Sequence, residues 1–145
     1  MSPSAGAWPP CDVLLIEGAV RRAESLTSAE LRVHIGRTVA GNPLDRAAQI
    51  FAALGMHKTE ARNGVLIYVA LESRKGAVLG DQAVRAAVDS HFFEGVFELG
   101  KQVYATSGWT EAITALVEAC GKELAQHFPR SHGDINELPD HVSVE

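Results

Sequence analysis

The sequence predicts an α/β fold, a small mixed sheet held between helical layers in a three-layer α/β/α sandwich. Three observations predict it. Leu31, Val33 and Ile35 alternate with Arg32, His34 and Gly36, the two-residue period of a strand with one apolar and one wetter face. Val65 to Leu71 is an unbroken apolar run rich in β-branched residues, as suits a strand covered on both faces. Much of the remaining chain carries apolar residues at three- and four-residue steps, the spacing of helices with one buried face.

In order along the chain, residues 1–11 are rich in Pro, Ser, Gly and Ala and are expected to form a flexible lead-in to a single domain spanning 12–129. Val13, Ile16, Ala19, Val20, Ala23 and Leu26 mark the first helix, interrupted by Gly18, with Glu17, Arg21, Arg22 and Glu24 on its outer face. The first strand is expected at residues 31–36. Asn42 followed by Pro43 reads as an N-cap with proline at the first helical position, and Gly55 as the C-cap after Leu44, Ala47, Phe51 and Leu54. Asn63-Gly64 opens the second strand, and Ala77-Val78-Leu79 folds back antiparallel to it after the polar turn at residues 72–76. A short helix around Val84, Ala87 and Val88 follows. A longer one carries Phe93, Val96, Phe97, Val103 and Tyr104, and a last one carries Trp109 to Leu124 and stops at Pro129. Residues 130–145 read as a polar tail.

Composition narrows the function. With 145 residues and a net charge of −5, the chain suits one globular domain, and its 13 scattered basic residues argue against nucleic acid as a partner. Cys11 and Cys120 have neither metal-site spacing nor a disulfide framework around them, which points to a reducing compartment. The apolar run Val13 to Ile16 is too short for a signal-peptide core, and nothing approaches the ~20 apolar residues of a spanning helix. A cytoplasmic protein with no membrane segment is expected.

Topology gathers the candidate site residues. A right-handed crossover makes the first two strands parallel, and the hairpin reverses the third. Glu30 then precedes strand one, Arg62 and Asn63 precede strand two, and Asp81 follows strand three, so all four are expected at one edge of the sheet. Glu30 and Asp81 could hold Ca²⁺ or Mg²⁺ through oxygen ligands, with Arg62 gripping a phosphate. The same residues also suit structural roles: Asp81 as the cap of the helix starting near Gln82, Asn63 as a turn residue, Glu30 in an ion pair with Arg32 or Arg62. At the opposite end, Arg37, Thr38, Arg74 and Lys75 could attract an anion, or form ordinary solvated surface.

Other chemistries lack support. The six histidines have no pair at the three- or four-residue separation that chelates from one helix face. No Gly-x-Ser-x-Gly elbow, Gly-x-Gly-x-x-Gly turn or phosphate-binding loop is present, so no nucleotide cofactor is expected. Phe92 falls off the apolar stripe beside Phe93, where an exposed apolar spot would suggest a partner surface.

Thr27-Ser28-Ala29-Glu30-Leu31-Arg32-Val33, Phe51 to Gly55, Arg62-Asn63-Gly64-Val65-Leu66-Ile67-Tyr68-Val69 and Gly80-Asp81, taken in order, resemble the TPM domain family. Leu124 to Pro129 and Asn136-Glu137-Leu138-Pro139-Asp140 resemble the ending of a bacterial branch, so the likeness extends over residues 12 to 140. It implies the same α/β/α sandwich. Its functional implications diverge, since relatives are described as a photosystem II repair factor with weak acid-phosphatase activity, as a calcium-binding domain, and as a receptor-associated accessory protein. The resulting expectation is a non-enzymatic accessory or binding domain acting on a protein partner. The alternative is a weak metal-assisted acid phosphatase, with Glu30 and Asp81 as metal ligands, Arg62 as phosphate clamp and Asn63 as orienting donor.

Overall fold

The two apolar runs of the sequence become the centre of a four-stranded sheet. The computed structural model describes residues 6–130 and 141–145. In it, β1 (Glu30–Gly36) and β2 (Gly64–Ala70) are buried at every position. β3 (Lys75–Gly80) pairs antiparallel with β2, while β1 is parallel to both β2 and β4 (Val142–Val144), giving the order β3-β2-β1-β4. Helices cover both faces: α1 (Val13–Glu24), α2 (Pro43–Ala53), α3 (Gln82–Ala87), α4 (Ser90–Ser107) and α5 (Trp109–His127), with a 3₁₀ turn at Met56–Lys58.

Strand alternation divides the core in two. Leu31, Val33, Ile35, Val65, Ile67 and Val69 face the layer containing Ile16, Val20, Ile113 and Val117 of α1 and α5. Leu66, Tyr68 and Ala70 face Ala47, Ile50 and Phe51 of α2. The caps are those the sequence suggests: Asn42 accepts a hydrogen bond from the Leu44 N–H at 2.9 Å, and Gly55 takes a left-handed φ of 72° just past α2. On α1, Asp12 accepts from the Leu15 N–H at 3.2 Å. Gly121 of α5 lies so close to α1 that a Cβ there would fall 2.6 Å from the Ala23 Cβ, so two small residues set the separation of the helices.

The chain departs from expectation at its ends and on one helix face. Within the expected lead-in, Cys11 is buried and the Trp8 indole donates to the Glu145 carbonyl at 2.7 Å, so residues 8–11 pack on the domain; residues 1–5 lie outside the described residues. The expected polar tail ends in β4, because Val33 N–H donates to the His141 carbonyl and Glu145 N–H to the Ile35 carbonyl, completing the free edge of β1. Residues 131–140 lie outside the described residues. Glu24, expected on the wet face of α1, is buried, and Leu26, assigned to the apolar stripe, is 61% exposed, because α1 ends at Glu24 before that stripe is complete.

Helix α1 runs unbroken through Gly18, where a Cβ would meet only the Arg22 guanidinium at 3.4 Å. Gly18→Ala is expected to stabilise the fold by about 0.5–1 kcal/mol, raising Tm by ~2–4 °C. Gly121→Ala, which overpacks the α1–α5 crossing, is expected to destabilise by about 1–3 kcal/mol. Thermal unfolding followed by circular dichroism separates the two directions.

Candidate functional site

At the edge where β1 and β2 begin, Glu30 lies opposite Gly64, and the Asp81 N–H donates to the Gly64 carbonyl at 2.8 Å. Arg62 and Asp81 meet as a fork, with Nε to Oδ2 at 2.7 Å and an outer guanidinium nitrogen to Oδ1 at 2.8 Å. Arg62 holds this position with a left-handed φ of 52°, and its carbonyl accepts from the Ala83 N–H at 3.0 Å. Asp81 also caps α3, accepting from the Gln82 N–H at 2.8 Å. Burial alone would oppose ionisation of Asp81, but the Arg62 fork and the Gln82 N–H hold its carboxyl below the usual range. Asn63 is buried and donates through its side-chain amide to the Ser28 carbonyl at 3.3 Å, tying the entries of β1 and β2 together.

Glu30 shares the edge but not the fork. Its carboxyl hydrogen-bonds that of Glu24, whose Oε2 accepts from the Leu31 N–H at 2.9 Å and whose Oε1 lies 2.5 Å from His141 Nε2. Arg130 donates to the Glu24 backbone carbonyl at 3.0 Å. Burial pushes the Glu24 carboxyl from its ordinary 4.5 up to about 7, and burial together with Arg21 pushes His141 down.

The four expected residues therefore divide between two settings. Arg62 and Asp81 are brought together with Asn63 beside them, while the Glu30 carboxyl belongs with Glu24. Both oxygens of Asp81 already accept hydrogen bonds from Arg62, so the carboxylates present no convergent set of oxygen ligands of the kind Ca²⁺ or Mg²⁺ takes. Among the described residues no three His, Cys, Asp or Glu side chains are placed to hold a metal ion. Thiol chemistry is equally disfavoured, since burial pushes Cys11 up to about 11 and Cys120 up to about 12.

The other end of the sheet is open. A groove of about 570 Å³ runs between β3 and the α4–α5 pair, lined by Phe97, Tyr104, Trp109, Ile113 and Leu116, with Arg74, Lys75 and Lys101 around it. Tyr104 and Trp109 stack with ring centroids 4.1 Å apart, and the Arg74 guanidinium sits 5.5 Å from the Tyr104 ring centre. Arg37 is engaged elsewhere, over the Trp8 ring at 4.0 Å and 3.3 Å from Glu72, while Thr38 is exposed. Sequence reasoning assigned the aromatic stripe of α4 to the core. In the fold only Val96 and Gly100 of that helix are buried, and Phe92 packs edge-on to Phe93 at 5.5 Å against the core rather than standing apart.

A family model described as the TPM domain matches residues 12–123. The chain belongs to the TPM domain family. The NMR structure of the BA42 protein from the psychrophilic bacterium Bizionia argentinensis is a TPM relative that superposes with a TM-score of 0.87 at 30% identity, covering 98% of this chain and 100% of that one. No curated protein matches the chain. Among the described residues of this TPM domain, no helix is long and apolar enough to cross a membrane.

Asp81→Ala removes a helix cap and the fork partner of Arg62, and is expected to destabilise by about 2–3 kcal/mol at pH 7. Because the folded-state carboxyl lies below its ordinary 3.8, that contribution is present above about pH 4 and lost as pH falls through the folded value. Urea unfolding of wild type and variant should therefore converge in acid. Glu24 has the opposite sign: its folded value of about 7 exceeds 4.5, so its contribution is lost as pH rises between these values. The stability of Glu24→Gln relative to wild type should accordingly increase from pH 5 to pH 8, read from paired urea titrations at each pH.

Proposed function

We propose that the protein is a non-enzymatic binding domain that receives a protein partner in the groove between β3 and the α4–α5 pair. One observation carries this reading: α4 turns an aromatic stripe inward and buries it only in part, and the surface left uncovered at Phe97 and Tyr104 lines the groove. Monomeric domains rarely leave such apolar concavities unless something fills them. Arg74 and Lys75, with Lys101 paired to Glu98 at 3.3 Å and Glu94 as the acid in the lining, leave the groove a net positive rim on a chain of net charge −5, which adds a preference for anionic ligands.

The alternative, metal-assisted phosphate hydrolysis, requires Asp81 to exchange Arg62 for a metal and Glu30 to leave Glu24. Both exchanges would break buried polar contacts before any substrate bound.

The apolar anion 8-anilinonaphthalene-1-sulfonate is a suitable probe. In Trp8→Phe, which leaves Trp109 as the single indole, it is expected to bind saturably at one site and quench Trp109 fluorescence. Lys75→Glu/Lys101→Glu should weaken that binding by ~5–10-fold, about 1 kcal/mol or slightly more from two exposed charges. Absence of saturable binding, or binding untouched by the charge reversals, would refute the groove as the recognition surface. With p-nitrophenyl phosphate and Ca²⁺ or Mg²⁺ no turnover is expected, and hydrolysis that falls at least tenfold in folded Asp81→Asn would establish the hydrolase reading instead.

A further inference from the structure

Strand β3 stands at the end of the sheet order, with β2 on one side. Its pairing with β2 alternates between hydrogen-bonded and non-hydrogen-bonded residue pairs. The Asp81 N–H to Gly64 carbonyl bond sets the phase of that alternation. With Val65 opposite Gly80 and Tyr68 opposite Ala77, Leu79 and Ala77 bond back to β2, while Val78 and Gly76 turn their N–H and C=O groups outward. Among the described residues, no backbone hydrogen bond reaches Val78 or Gly76 from that outer side.

Those outward groups border a slot rather than open solvent. A second cavity of about 490 Å³ follows β3 from Gly76 to Gly80, between Pro43 and Leu44 at the start of α2 and Phe93 and Phe97 of α4. It shares Pro43, Gly76, Glu94 and Phe97 with the aromatic groove, so the two form one channel alongside the strand. Residues of α2 line it on one side and residues of α4 on the other. Basic residues mark both ends, Arg85 near Gly80 and Arg74, Lys75 and Lys101 near Gly76, against the single acid Glu94 within the lining.

We propose that this channel binds an extended peptide segment of a partner protein, which adds to β3 as a fifth strand through the backbone of Gly76 and Val78. The segment is apolar over about five residues, because both faces of the added strand are covered, and acidic at its ends, where the basic residues stand. β3 is six residues long, which at about 3.3 Å per residue gives roughly 20 Å of edge. A second copy of this chain is a poorer occupant, since two β3 edges would bring like basic ends together. The inference rests on the groove being the recognition surface and adds the partner's chemistry and its mode of binding.

The test uses the full chain and a synthetic peptide with five alternating Val and Ile residues between paired Glu residues, acetylated and amidated. Expected are binding in the micromolar range, at least tenfold slower hydrogen exchange at the Gly76 and Val78 amides, and at least tenfold weaker binding of a Lys-flanked version. An isomer N-methylated on every core residue keeps the side chains but cannot extend the sheet, and it should lose binding. Equal binding of the methylated isomer, or no protection at Gly76 and Val78, overturns strand addition. So does a dimer seen by sedimentation that the peptide fails to dissociate. Saturable naphthalenesulfonate binding with no peptide binding leaves the groove reading standing and removes this inference alone, whereas loss of both removes both.

Discussion

Seven consecutive residues of β2, Gly64–Ala70, are shut off from water on both faces, and one helical layer cannot achieve that. α1 and α5 take one face and α2 the other, while β1 and β3 take the two hydrogen-bonding edges. Polar groups that arrive at the ends of these strands are carried into a dry interior and must find partners there. The Arg62–Asp81 fork, the Asn63 bond to Ser28 and the Glu24–Glu30–His141 cluster are answers to that demand.

The sheet is closed at β1 by β4 but not at β3. β4 is held by more than its ladder: His34 contacts Ser143 at 2.7 Å and Glu145 at 3.1 Å, and Arg46 reaches the same Glu145 carboxylate from α2. Nothing comparable among the described residues secures the far side of β3. Long helix α4 lies over the neighbouring layer without sealing it, and so a polar-bonded end and an apolar open end face opposite directions. The first contributes mainly to stability, and the second has surface left to offer.

Much of this was readable from residue pattern. Alternation in residues 31–36, the apolar run from Val65 and the Asn42-Pro43 start each depend on local chemistry, which survives tertiary context. β4 was missed because three residues, Val142–Val144, give too short a period to stand out from a polar tail; their partner is 109 residues away in sequence at the His34–Ser143 contact. Joining Glu30, Arg62, Asn63 and Asp81 to one edge needed only connectivity, but choosing among their partners needed coordinates. Glu24 competes for Glu30, and that acid had been assigned to solvent by helical phase alone. The aromatic residues of α4 have core-like spacing, and how deeply they sink depends on how α4 meets α5, which no periodicity encodes.

The bond from the Trp8 indole to the Glu145 carbonyl brings the two extremities of the described fold to one corner. That corner adjoins the aromatic groove, because Trp8, Arg74, Tyr104 and Trp109 border a common hollow. A sequence fused after Glu145 would therefore emerge beside the channel mouth and be held there at high effective concentration.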